Sequence, residues 1–138
     1  MVQLIMGLKG SGKTKRLVEM VRKAVEEAHG DVICIEKDKN LTYDIPYTAR
    51  LIHAGEYGIN SNTLLRGFIS GLHAGNYDIT HVFIDNFYKM LDDKSDDAVA
   101  DLLDWMDEFS RRENVEFFIS ATVEPDSVSE RISKYFKQ

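Results

Sequence analysis

Gly7-Leu8-Lys9-Gly10-Ser11-Gly12-Lys13-Thr14 is the stretch that decides how this chain is read. It fits G-x-x-x-x-G-K-[ST], a pattern with a physical mechanism. Glycines let the backbone wrap an anion with several N–H groups pointing inward. A helix opening at the same point adds its own unpaired N–H groups and the positive end of its dipole. Lys13 would then reach the outer phosphates of a nucleotide, and the Thr14 hydroxyl would take a place on a magnesium ion. Four fixed positions match by accident about once in 30,000 placements, which makes coincidence a poor account of the match.

The flanks supply the setting this loop needs. Residues 2–6, Val2-Gln3-Leu4-Ile5-Met6, form an almost continuous apolar run, as in a strand buried on both faces. From Lys13 onward, Leu17, Met20, Val21, Ala24, Val25 and Ala28 recur at helical spacing, with Gly30 as the expected terminator. Further out, strands are expected at 31–36, 49–53, 81–85 and 115–121. Leu64, Leu65, Phe68, Ile69 and Leu72 mark the apolar face of a helix after Ser61 that ends at Gly75-Asn76. Ser95 is the expected N-cap of another helix, faced by Val99, Leu102, Leu103, Met106 and Phe109. Ser127-Val128-Ser129-Glu130 has capping-box spacing for a last helix, with Val128, Ile132, Tyr135 and Phe136 turned inward. Strands alternating with helices predict a three-layer α/β/α sandwich around a mainly parallel five-stranded sheet, with residues 1–138 as one nucleotide-binding domain.

Composition narrows the function. With 17 basic and 23 acidic residues the net charge is −6, a poor footprint for non-specific nucleic-acid or anionic-membrane binding. The opening apolar run is too short for a signal peptide, and no run approaches a membrane span, so a cytoplasmic location is the expectation. Cys34 is the only cysteine and reads as a small buried hydrophobe. His29, His53, His73 and His81 lack metal-ligand spacing.

The loop and its setting resemble the P-loop NTPases, with Gly7 through Thr14 as the Walker A motif. Val82-Phe83-Ile84-Asp85 resembles Walker B, an apolar strand ending in an acid. The resemblance implies ATP or another nucleoside triphosphate as ligand and Mg2+ as cofactor. Gly7, Leu8, Lys9, Gly10, Ser11, Gly12, Lys13, Thr14 and Lys15 would bind the nucleotide, with Thr14 and Asp85 placing the metal. The order of elements is similar to RecA-like and thymidine-kinase-like proteins, in which the strand after Walker B inserts between it and the P-loop strand. Such a strand carries a polar sensor of the terminal phosphate, here Ser120 or Thr122.

Two departures bear on the chemistry. RecA-like ATPases place a Glu at or near the Walker B Asp, and thymidine kinases have Asp-Glu-x-x-Phe. This chain has Asp85-Asn86-Phe87-Tyr88. Asn86 can orient a water but cannot take its proton as a carboxylate can. Asp38, Glu36 and Glu56 are the other candidate bases. The thymidine-kinase zinc lasso needs several cysteines, and little chain follows the fifth strand to form a nucleoside lid. The leading expectation is nucleotide hydrolysis, with Lys13, Asn86 and Ser120 in catalytic roles, coupled to a protein partner or a conformational change. A nucleoside or small-molecule kinase and a nucleotide-gated interaction module with negligible turnover are the alternatives.

Three further features bear on function. Segment 37–60, with Tyr43, Tyr47, Arg50, His53, Glu56, Tyr57 and Asn60, is either a functional loop at the sheet's carboxyl edge or an ordinary connection. Arg111-Arg112 suits a helix C-terminus, and is compatible with a finger supplied in trans within a homo-oligomer. Trp105 reads as core or interface.

Overall fold

The computed structural model describes residues 1–136. Five strands, β1 (Val2–Gly7), β2 (Asp31–Glu36), β3 (Arg50–His53), β4 (Ile79–Asp85) and β5 (Glu116–Thr122), form one sheet in the order β1-β5-β4-β2-β3. Every neighbouring pair is parallel. Parallel strands require crossovers, and helices α1 (Lys13–Glu27), α2 (Asn62–Gly75) and α3 (Asp96–Glu113) provide three of the four, while residues 37–49 join β2 to β3 without a helix. A short α4 (Glu130–Ser133) follows β5. The α/β/α sandwich is therefore the observed fold. β5 lies between β1 and β4, so the strand after Asp85 sits between the acid's strand and the phosphate-loop strand.

Alternation along each strand divides the core in two. Ile5, Cys34, Phe83 and Phe118 face α1, against Leu17, Val18, Val21 and Ala24. Leu4, Ile33, Ile35, Val82, Ile84, Phe117 and Ile119 face the other layer, against Leu65, Ile69, Val99, Leu103 and Met106. Ser61 caps α2 by accepting the Leu64 N–H at 3.0 Å, and Ser95 caps α3 by accepting the Ala98 N–H at 3.3 Å. Trp105 packs against the second core half, tilted on Phe109 at 5.3 Å.

Several local expectations change. α1 ends at Glu27, before Gly30, and Gly30 does not cap it. A Cβ on Gly30 would lie 2.1 Å from the Asp78 carbonyl oxygen, so glycine is required there by close approach of two backbones. Leu64 is about half exposed instead of joining the α2 face, because it falls in the first turn beside the cap, while His73 takes a buried place. Ser127 does not cap the last helix. It lies in a 3-10 turn, Pro125–Ser127, and its hydroxyl donates to the Glu124 carbonyl at 2.7 Å. Pro125 breaks the capping-box register, and Ser129 becomes the N-cap of a helix only four residues long. Ile132 and Tyr135 still turn inward, and the Leu4 N–H donates to the Tyr135 carbonyl at 2.8 Å along the outer edge of β1.

Candidate functional site

The site lies at the carboxyl edge of the sheet, where β1, β4 and β5 end. Gly7 closes β1 opposite Thr122. Beyond it, Gly10 and Gly12 both have φ +86°, a left-handed conformation that side-chain-bearing residues rarely adopt. These two turns fold residues 8–12 back on themselves, with the Ser11 N–H donating to the Leu8 carbonyl at 3.1 Å. α1 then starts on Gly12 with no side-chain cap and no acid in its first turn. Its first N–H groups and positive dipole end stay open to an anion.

Lys13 leaves the first turn and donates to the Leu8 carbonyl at 2.9 Å, closing the loop. Burial pulls its ammonium below the ordinary lysine range, and the nearby Asp85 opposes this. Anionic phosphates would favour the charged form and replace the carbonyl as partner.

Asp85, at the end of β4, is only 2% exposed and is held from three sides. Ser120 Oγ donates to its Oδ1 at 2.6 Å. Thr14 Oγ1 lies 3.2 and 3.3 Å from its two oxygens. Asn86 Nδ2 reaches Oδ2 at 3.4 Å. Thr14 belongs to α1, Asp85 to β4 and Ser120 to β5, so three separated segments converge on one carboxylate. Asn86 adopts φ +54°, and its backbone N–H donates to Ser120 Oγ at 2.9 Å. The Ser120 hydroxyl thus donates and accepts at once, in a fully buried position. Thr122, two residues on, is exposed on the cleft instead.

The cleft above these groups has a volume of about 660 Å³ and is lined by Lys9, Lys13, Lys15 and Lys89 with Asn40, Asn86, Tyr88 and Thr122. Among the described residues no Asp or Glu belongs to its lining. Of the candidate bases, Glu36 is buried beside Asp85 in the strand register and accepts the Asn40 and Leu41 N–H groups at 2.8 and 3.0 Å. Burial pushes its carboxyl above the usual range, with Asp85 adding to the effect. His53 Nδ1 lies 3.4 Å away. Asp38 faces Lys89 at 3.7 Å, and Glu56 pairs with Lys39 at 2.5 Å on the surface.

Thr14 and Asp85 offer a hydroxyl and a carboxylate, hard oxygen donors that suit Mg2+. Among the described residues no group of three or more His, Cys, Asp or Glu could hold a metal. Magnesium fits such a sparse set, because it keeps several waters and takes the rest of its shell from substrate phosphates.

The family model for AAA, the ATPase family associated with various cellular activities, matches residues 3–138. The chain belongs to this family. It is a P-loop AAA ATPase domain, with ATP binding and nucleotide hydrolysis as its chemistry. No curated protein matches it.

Other residues of the AAA chain divide between site and scaffold. In segment 37–60, Asn40 lines the cleft, whereas Leu41, Ile45 and Ala49 cover the α1 face of the core. Tyr43 is 99% exposed and Tyr47 97%. Arg111 and Arg112 lie where α3 ends, near Met1 and the start of β5, at the opposite edge from the chain's own phosphate loop. Cys34 is buried between the layers, and burial, Asp85 and Glu36 all push its thiol up. Sequence reasoning missed Lys89, Tyr88 and Asn40. Lys89 and Tyr88 follow Asp85 in a 3-10 turn, Phe87–Met90, whose only sequence signal is the acid before it. No helix of the described residues is long and apolar enough to cross a membrane.

Proposed function

We propose that this chain binds Mg·ATP in the Gly7–Thr14 loop and hydrolyses it slowly on its own, with faster turnover when a protein partner or a rearrangement brings a base to the cleft. The convergence of Thr14, Asp85 and Ser120 beneath the loop carries this reading. Backbone N–H groups of the loop and Lys15, with Lys9 at the rim, would hold the phosphates, and Lys13 would stabilise charge on the transferring group. Thr14 and Asp85 would place Mg2+, which polarises the phosphoryl oxygens when bound. Asn86 would orient the attacking water. Ser120 would act by fixing Asp85, and Thr122 would face the terminal phosphate.

Slow intrinsic turnover is expected because Asn86, next to Asp85, cannot take a proton from the attacking water as a carboxylate can. The order β1-β5-β4 supports a place near the RecA-like and thymidine-kinase-like P-loop proteins, and continuity of the core across residues 1–136 supports one domain.

Calorimetric titration of Mg·ATP into the wild type and Lys13→Ala, with released phosphate assayed on the same samples, tests the reading. Wild-type binding that is lost in Lys13→Ala, with slow phosphate release, is the expected result. Equal binding by both proteins would place the nucleotide elsewhere. Phosphate transfer to an added nucleoside would replace the ATPase reading with a kinase.

A further inference from the structure

Four lysines line the cleft, and the phosphate loop with the first turn of α1 accounts for three of them. Lys89 comes from a different segment of the chain. It sits in the Phe87–Met90 turn, four residues past Asp85. That turn is rigid at its base. Phe87 and Met90 are fully buried, the Lys89 N–H donates to the Asn86 carbonyl at 3.0 Å, and Asn86 is tied to Ser120. The backbone is therefore fixed while the side chain is free. Lys89 Nζ has Asp38 at 3.7 Å, outside hydrogen-bond distance, and both side chains are more than half exposed. An exposed pair of that kind holds its partners weakly.

We propose that Lys89 is a second cation for the terminal phosphate of ATP, supplied within the same chain from the turn that follows the metal-binding acid. The proposal rests on the nucleotide reading above. Thr14 and Asp85 would hold the metal, which would neutralise charge on the outer phosphates when bound. Lys89 leaves the same strand end as Asp85 and lines the same cleft as Lys13, which would put it within reach of the γ end of the nucleotide. With a γ-phosphate present, the ammonium would exchange the loose Asp38 contact for a charge-assisted bond to a phosphoryl oxygen. It forms no covalent bond and moves no proton. Its contribution is to stabilise negative charge on the γ oxygens as the bond to the β-phosphate breaks. ADP lacks that phosphate and should leave Lys89 with Asp38. The residue would thus distinguish triphosphate from diphosphate, a distinction the loop alone makes poorly because it grips both.

The test compares Mg·ATP and Mg·ADP binding to the wild type, Lys89→Ala, Lys89→Arg and Lys13→Ala, with phosphate release measured alongside. Lys89→Ala should weaken ATP binding about ten-fold, the size of one charge-assisted contact, and leave ADP binding within about two-fold. Lys89→Arg should recover most of the ATP affinity, and both variants should melt near the wild type. Equal losses for ATP and ADP, or no loss at all, would overturn the proposal while leaving the loop site standing. Binding to the wild type that Lys13→Ala does not weaken would bring down the loop site and this proposal together.

Discussion

At the scale of the residue, the site turns on how one hydroxyl is spent. Ser120 donates to Asp85 and accepts from Asn86, so both ends of its hydrogen-bonding capacity are used inside the protein. Ser120→Ala would leave the partly buried Asn86 N–H without an acceptor and free one Asp85 oxygen. The expected cost is about 1–3 kcal/mol of stability, read from urea denaturation. The same variant should need more Mg2+ for ATP binding, since Asp85 would no longer be held towards Thr14. A loss of stability with unchanged Mg2+ dependence would make Ser120 purely structural. The positions of Lys13 and Thr14 in the loop and of Asp85 at a strand end were legible in the sequence because they follow from fixed spacing within one loop and one strand. The role of Ser120 was not, because it depends on a neighbour 35 positions away in the chain.

At the scale of the element, the loop between β1 and α1 works because two of its residues are left-handed. Gly10 and Gly12 have open space around a notional Cβ, so sterics with neighbours do not demand glycine there. The φ angle does. Gly12→Ala should therefore cost about 1–2 kcal/mol through backbone strain alone, measured as a shift in the denaturation midpoint. An unchanged midpoint would mean the loop relaxes into another conformation, and weaker nucleotide binding should then accompany it. Element boundaries followed the sequence where a cap marked them, as at Ser61 and Ser95. They departed from it at the C-terminus, where Pro125 redirected the chain and reduced the expected last helix to Glu130–Ser133. The Phe87–Met90 turn had no periodic signal, since four residues are too few to show one.

At the scale of the whole molecule, an acidic chain of net charge −6 carries a cleft lined by four lysines. That local excess of positive charge suits an anion, so nucleotide should stabilise the fold. Mg·ATP at about one hundred times its dissociation constant should add about 2.7 kcal/mol to unfolding stability, seen as a rise in melting temperature that Lys13→Ala abolishes. The rise should shrink as salt is added, because the Debye length falls to about 3 Å at 1 M. A salt-independent rise would argue against an electrostatic cleft. The sequence by itself determined the phosphate loop, the alternation of strands and helices, and the acid at the end of β4. Those are local properties, set by spacing, periodicity and backbone freedom within a few residues. Only the tertiary structure decided that β5 lies between β1 and β4, that Ser120 holds Asp85, that Glu36 is consumed by the backbone of Asn40 and Leu41, and that Lys89 lines the same cleft as Lys13. Each of those joins residues far apart in the chain, and such pairs are fixed by how the sheet is ordered and packed.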